Sequence, residues 1–337
     1  MTARVDRAPA RDRDPAPPRT PRLAPIVVPV QSGCCPDHPR CLLCPPPPPA
    51  PSAELVEALV EHYRDGDRPL RVGFYGGAPP TDPQLDAIGG LPFVARVRPD
   101  LLGRADLARL VAAGAVGIEL DAATFHDPAL KAIGRRYRAA RVLEQLDGIA
   151  AAGIAPGIVL APGLPGTSHL DAVEDARIAA ARVRFVRIHP VLVLDGSGLQ
   201  RAHLDGTYVP LGLGEAVSTC RAMLDLLHEA GVDVIRVGQN PGPDGLGRAV
   251  AGPRHPSLRQ LCDARRTLAV LHRSLEGTVR GARLVVRCHP ADETSARGPF
   301  NQHVRTLRAT YGLAALRVRP DPSLARGQFV IDDEGAP

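Results

Sequence analysis

One pattern dominates this chain and restricts its fold more than any other feature. From Leu70 onward, short apolar runs alternate with stretches of helical spacing. The runs are LRVGFYGG (70–77), PFVARVRP (92–99), AVGIELD (115–121), APGIVLAPGLPG (155–166), RFVRIHPVLVL (184–194) and VDVIRVG (232–238). Between them lie DLLGRADLARLVAAG (100–114), Pro128 to Ala152, His169 to Arg182 and Glu215 to Ala230, all with helical character. APIVVPV (24–30) supplies an earlier strand, and Ser52 is placed to cap a helix whose apolar residues include Leu55, Leu59 and Val60. Gly114, Gly153 and Gly231 stand where helices would close before the next strand. Strands alternating with helices imply βα units on a parallel sheet, and this number of units predicts an α/β fold, a partial (β/α)6 TIM-like barrel.

With 337 residues, 44% hydrophobic, the chain can bury one large core and a smaller second one. The first 22 residues combine Arg, Asp and Pro with few apolar side chains and predict a disordered tail. The barrel is expected over 23–265. Beyond it ARLVVRCHP, PFNQHVRTLRATYG, LRVRP and GQFVID predict a small C-terminal α+β domain over 266–332. The net charge of +5 is carried almost wholly by arginine, Lys131 being the one lysine, so residue bias accounts for much of it. The longest uncharged stretch, Gly148 to Gly166, contains Pro156, Pro162 and Pro165, which excludes a membrane span there.

Four of the seven cysteines lie within eleven residues, as S-G-C34-C35-P-D-H-P-R-C41-L-L-C44, directly after the first strand. A proline run follows at Pro45–Pro49 and forms an extended spacer. A disulfide framework would spread its cysteines through a small secreted domain, so a metal site in a cytoplasmic chain is the expectation. Zinc and an iron–sulfur cluster both use thiolates. For zinc, adjacent Cys34 and Cys35 are a poor pair, and no second C-x-x-C follows at a matching spacing. The other cysteines, Cys220, Cys262 and Cys288, suit a buried apolar role.

Cys35-Pro36…Arg40-Cys41-Leu42-Leu43-Cys44 resembles the three-cysteine motif of radical S-adenosylmethionine (SAM) enzymes, with two residues added to the first spacer and Leu43 where an aromatic is usual. The resemblance extends over residues 24–331 and is closest to the branch of the elongator catalytic subunit and the oxygen-independent coproporphyrinogen oxidases. GFYGGAP (73–79) resembles the glycine motif ending the second strand, ELDAATFHDPALKAIGRRYR (119–138) the fourth-strand stretch, and GIVLAPGLPGTS (157–168) the fifth-strand loop. VRIHPVLVLDGSGL, VIRVGQNP (234–241) and AGPRHPSLRQL (251–261) match in the same order. Ala123 replaces the family's Gln, and Arg136-Tyr137 its Gly-His.

The resemblance implies a 4Fe-4S cluster held by Cys41, Cys44 and either Cys35 or Cys34. It implies S-adenosylmethionine contacted by Tyr75, Gly76, Gly77, Glu119, Arg135 and Gly163, with Glu119 on the ribose hydroxyls and Arg135 on the methionine carboxylate. Reductive cleavage to a 5′-deoxyadenosyl radical would follow, fed by an electron donor such as flavodoxin or ferredoxin and acting on a substrate that the sequence does not name. His189 reads as a hydrogen-bonded core histidine, with contact to a substrate as the alternative. The elongator subunit's acetyltransferase domain has no counterpart in these residues, so acetyl transfer is not expected. Residues 273–330 hold ten arginines against four acids, which suits RNA. The alternative reading is a catalytically degenerate module of the same fold that binds RNA through this basic tail or zinc through the cysteines.

Overall fold

The computed structural model describes residues 3–5, 25–31, 41–45, 50–66, 68–239 and 246–334. Cys34, Cys35, most of the proline run and the last two residues of the 234–241 motif lie outside the described residues. The chain divides into two units, Pro15–Pro256 and Ser257–Pro337 with Met1–Asp14. The sequence boundary at 265/266 falls inside a helix that belongs whole to the second unit. Strand β1 (Ala3–Val5) also belongs there, so three residues of the expected disordered tail are paired as a strand.

The larger unit carries the βα pattern. Its strands are β2 (Ile26–Gln31), β3 (Leu70–Tyr75), β4 (Phe93–Val97), β5 (Ala115–Ala123), β6 (Ala155–Leu160), β7 (Phe185–Ile188), β8 (Val193–Leu194), β9 (Asp233–Val237) and β10 (Ala249–Ala251). Seven of them form one parallel sheet in the order β2-β3-β4-β5-β6-β7-β9. This is the partial TIM-like barrel with one strand more than six, because β9 pairs with β7 beyond the sixth. The ribbon β8–β10 stands apart as an antiparallel pair. Helices α1 (Ala53–His62), α2 (Asp82–Ala87), α3 (Arg104–Ala112), α4 (Asp127–Ala132), α5 (Ala139–Ala151), α6 (His169–Ala180), α7 (Gly198–Leu204) and α8 (Leu213–Glu229) connect the strands. Ser52 caps α1 by accepting from the Leu55 amide. That helix buries Val56 and Val60 and leaves Leu55 half exposed, so its inner face is turned from the one the apolar spacing suggests.

Side chains alternate across each strand. In β4, Phe93, Ala95 and Val97 are fully buried toward the helices, while Val94 and Arg96 face the barrel interior. At the foot of that interior the Phe185 ring occupies the space over two glycines. A Cβ on Gly157 would collide with it, and one on Gly117 would meet it at 3.2 Å. The two glycines are therefore packing residues, making room for one aromatic across three strands.

The stretch Pro128–Ala152, largely helical by its sequence, is divided between two helices in the structure. Gly134 takes a left-handed conformation at φ +80°. Its amide bonds Lys131 O at 3.1 Å, and the Arg135 amide bonds Leu130 O at 2.9 Å. This pair of bonds is a Schellman ending for α4. The next helix starts at Ala139, whose amide is held by the Asp127 carboxylate at 2.7 Å. The break turns Arg135 out of helical register and into the unit.

The smaller unit contains α9 (Leu258–Leu275), β11 (Arg283–Cys288), α10 (Glu293–Arg297), α11 (Gln302–Tyr311), β12 (Ala315–Pro320) and β13 (Phe329–Asp333). Its sheet runs β1-β13-β11-β12, mixed parallel and antiparallel, as the α+β reading of the tail expects. Leu271, Leu275, Val286, Cys288 and Leu307 lie in its core, so Cys288 is a buried apolar residue. Among the described residues no helix is long and apolar enough to cross a membrane.

Candidate functional site

Parallel sheets place their sites at the carboxyl ends of the strands. The described part of the cysteine segment, Cys41–Pro45, is anchored near that end of β5. The Leu42 amide bonds Ile133 O at 3.2 Å, and Leu42 O accepts from the Leu199 amide at 3.0 Å. Leu42 and Leu43 pack on an apolar cluster of Ala123, Ala129, Ile133, Leu164, Leu199 and Tyr208. Leu43 thus fills an apolar seat in place of the usual aromatic. Cys41 is buried and Cys44 half-buried.

Arg135 is near enough to these thiols for their charges to act on it. Burial opposes its charge, but Asp121, then Tyr137, Cys41 and Cys44, hold its guanidinium well above the ordinary arginine range. Its Nη2 donates to Asp121 Oδ2 at 3.3 Å, while Nε and Nη1 are buried without a hydrogen-bond partner. Two unsatisfied donors on a buried cation are costly, and such groups in a native fold call for a ligand or a function. They match in kind a bound carboxylate, which an arginine fork takes through paired N–H groups. The thiols of Cys41 and Cys44, with two residues between them, suit a thiolate-ligated cluster. The residues described therefore fit the two groups that the sequence resemblance implies.

The strand ends around Arg135 are unusual in backbone as well. Ala123, closing β5, is left-handed at φ +69°, a conformation costing an alanine roughly 1 kcal/mol or more. It coincides with a register shift between β5 and β6. The following turn is fixed by Asp175, whose carboxylate accepts from the Phe125 amide at 2.8 Å. Burial pushes that carboxyl up to about 6. In the fifth-strand loop Gly163 sits at φ +94°, and a Cβ there would meet Leu211 at 2.9 Å. Its carbonyl accepts from the Tyr208 hydroxyl at 2.6 Å, so the loop is pinned open at this glycine. Gly76 and Gly77 follow β3 directly, and Gly77 O receives the Arg98 amide at 2.9 Å.

Glu119 behaves differently from the role that the resemblance gives it. Its side chain is 1% exposed, with Oε2 on Arg96 Nε and Oε1 on Arg187 Nε, both at 2.7 Å. Both guanidiniums sit 5.2 Å from the Tyr75 ring centroid, and Arg187 Nη2 donates to the Tyr75 hydroxyl at 3.2 Å. No exposed carboxylate oxygen is left for ribose hydroxyls. Glu119 is the centre of an ionic layer inside the barrel, and Tyr75 is stacked into it. Asp121, two residues nearer the mouth on the same face, is the more open carboxylate at 29% exposed. Arg96 and Asp121 were not among the residues singled out from sequence. Their signal was present as charges at alternate positions in otherwise apolar strands.

With this geometry in view, the known relatives are informative. Residues 183–269 match a family model described as the radical SAM C-terminal domain. The match covers about a quarter of the chain. That match runs from the start of β7 into α9, ahead of most of the α+β tail. A curated relative, the tRNA uridine(34) acetyltransferase of Dehalococcoides mccartyi (strain CBDB1), is 27% identical over 117 residues, covering 34% of this chain and 26% of that protein. Among solved structures, the archaeal Methanocaldococcus infernus Elp3 superposes with a TM-score of 0.55 at 16% identity, over 74% of this chain and 62% of that one. Streptococcus suis SuiB superposes with a TM-score of 0.50 at 13% identity, over 64% and 50%. This chain therefore spans less than two thirds of the length of each. At these identities the superpositions establish the shared fold.

The ionic layer yields a first expectation. Glu119→Gln leaves two buried arginines without their carboxylate and should cost about 3–5 kcal/mol. Thermal unfolding of the chain without any cofactor checks this, and an unchanged Tm would return Glu119 to a purely ligand-binding role.

Proposed function

We propose that this chain is an iron–sulfur-dependent radical SAM enzyme. The observation that carries the proposal is Arg135, a buried guanidinium with two unpartnered N–H groups beside Cys41 and Cys44. In this reading Cys41, Cys44 and one of Cys35 or Cys34 hold a 4Fe-4S cluster. When bound, such a cluster supplies the electron that cleaves the S-adenosylmethionine sulfonium to a 5′-deoxyadenosyl radical.

The protein's own residues bind and orient. Arg135 takes the methionine carboxylate, positioned by Asp121 on one side and by the Schellman ending of α4 behind it. Gly76 and Gly77 offer backbone after β3 with no side chain to obstruct the amino group. Tyr75 is held rigid between Arg96 and Arg187, and Gly163 keeps the fifth-strand loop clear. Electrons would come from a flavodoxin or ferredoxin in the cytoplasm.

Anaerobic reconstitution with iron and sulfide should give broad absorbance near about 400 nm. Cys41→Ala should abolish it, and dithionite should release 5′-deoxyadenosine from wild-type protein. A colourless chain carrying stoichiometric zinc would contradict the proposal.

RNA engagement by the smaller unit is a second reading, favoured by one observation. Phe300 is 92% exposed in a left-handed conformation (φ +49°), and Arg305 donates to its carbonyl. An exposed aromatic beside arginine can stack a nucleobase. Against it, Arg287, Arg297, Arg317, Arg319 and Arg326 are ion-paired with acids, which neutralises half of the ten arginines of the tail. Single-stranded RNA binding that weakens with salt and drops about tenfold in Phe300→Ala would support this reading. Binding indifferent to both would remove it.

A further inference from the structure

The inward face of the barrel carries more positive charge than its carboxylates balance. Arg96 on β4 and Arg187 on β7 share one partner, Glu119. Arg236 on β9 is the register partner of Arg187, so a third guanidinium enters the same layer. Its hydrogen bonds go to backbone carbonyls, Gly238 O at 3.2 Å and Gln239 O at 3.0 Å, and not to an acid. Arg187 and Arg96 both act on it, and after burial they are the groups that disfavour its charge.

His189 follows Arg187 by two residues and lies on the same face. Its Nε2 is buried without a hydrogen-bond partner. Burial, then the charges of Arg96, Arg187 and Arg236, hold the imidazole well below the ordinary histidine range. The layer thus contains three guanidiniums, one carboxylate and a neutral imidazole whose ring nitrogen lacks a partner. Tyr75, the last residue of β3, closes it on the side of the Gly76-Gly77 loop.

We propose that this layer is an oxyanion site for the substrate, in which Arg236 and Arg187 hold a carboxylate or phosphate and His189 Nε2 completes its hydrogen bonding. The site would seat the anionic end of a substrate inside the barrel, with its reacting carbon toward the mouth. It rests on the reading of the mouth as the cofactor site, but anion binding itself requires only the folded chain. Arginine suits both anions because its N–H groups pair with two oxygens at once.

The test is calorimetric titration of the full chain, with and without reconstituted iron, in a zwitterionic buffer. Inorganic phosphate and malonate serve as separate probes. Saturable binding of one or both is expected, and the preferred probe identifies phosphate or carboxylate as the substrate group. Arg236→Gln should weaken binding at least about tenfold, with Arg236→Lys recovering part of it. If Arg236→Gln does not fold, His189→Gln carries the comparison, with a loss expected there too. Absence of saturable binding by either anion, or binding unchanged in a folded variant, would overturn the proposal. Because the titration without iron is independent of cluster assembly, failure here and failure of the cofactor reading are distinguishable.

Discussion

The barrel interior is organised by one buried carboxylate. Glu119 on β5 reaches Arg96 on the adjacent β4 and Arg187 on β7, two strands away on the other side. Two strands span about 9.5 Å, and Gly157, opposite Glu119 on the intervening β6, has no side chain to stand between the partners. The Phe185 ring over Gly117 and Gly157 provides the apolar counterpart below it. Removing one member of a buried ion triad strands the others in a medium that cannot solvate them. The arginines then become useful: fixed by Glu119, they stack Tyr75 at the mouth and leave Arg236 and His189 facing the interior.

Above this layer the site depends on a helix ending. A continuous helix through 128–152 would carry Arg135 around its own axis and away from the cysteines. Gly134 ends α4 in a left-handed turn, and the chain needs several residues before α5 begins. Arg135 lies in that interval, next to Asp121 and the thiols. The left-handed Ala123 and the pinned Gly163 border the same opening. The β5–β6 register shift at Ala123 lies where a parallel sheet places its chemistry, and further shifts occur at Phe93/Val94 and Val186/Arg187.

Much of this was legible in the residues. Alternating apolar runs and helical stretches revealed the βα units, and Ser52 and the helix-closing glycines marked boundaries correctly. The order of strand-end motifs resembles that of radical SAM enzymes even though the cysteine spacing is irregular. What remained hidden depended on register. Helical spacing runs through Gly134, so the break that frees Arg135 is visible only from the bonds that close α4. Glu119 stands at a strand end like a ribose ligand, yet its fate follows from which arginines face it across neighbouring strands. The seventh strand was seen as a strand, but its place beside β7 comes from pairing that local pattern does not encode.

The central claim is that the thiols and Arg135 form a single cofactor site. The electron paramagnetic resonance spectrum of the reduced, reconstituted chain, recorded before and after adding S-adenosylmethionine, tests it most directly. A cluster signal that S-adenosylmethionine alters in the wild type, and leaves unaltered in Arg135→Met, is the result predicted. A signal indifferent to S-adenosylmethionine in both proteins, or no cluster signal at all, would contradict it.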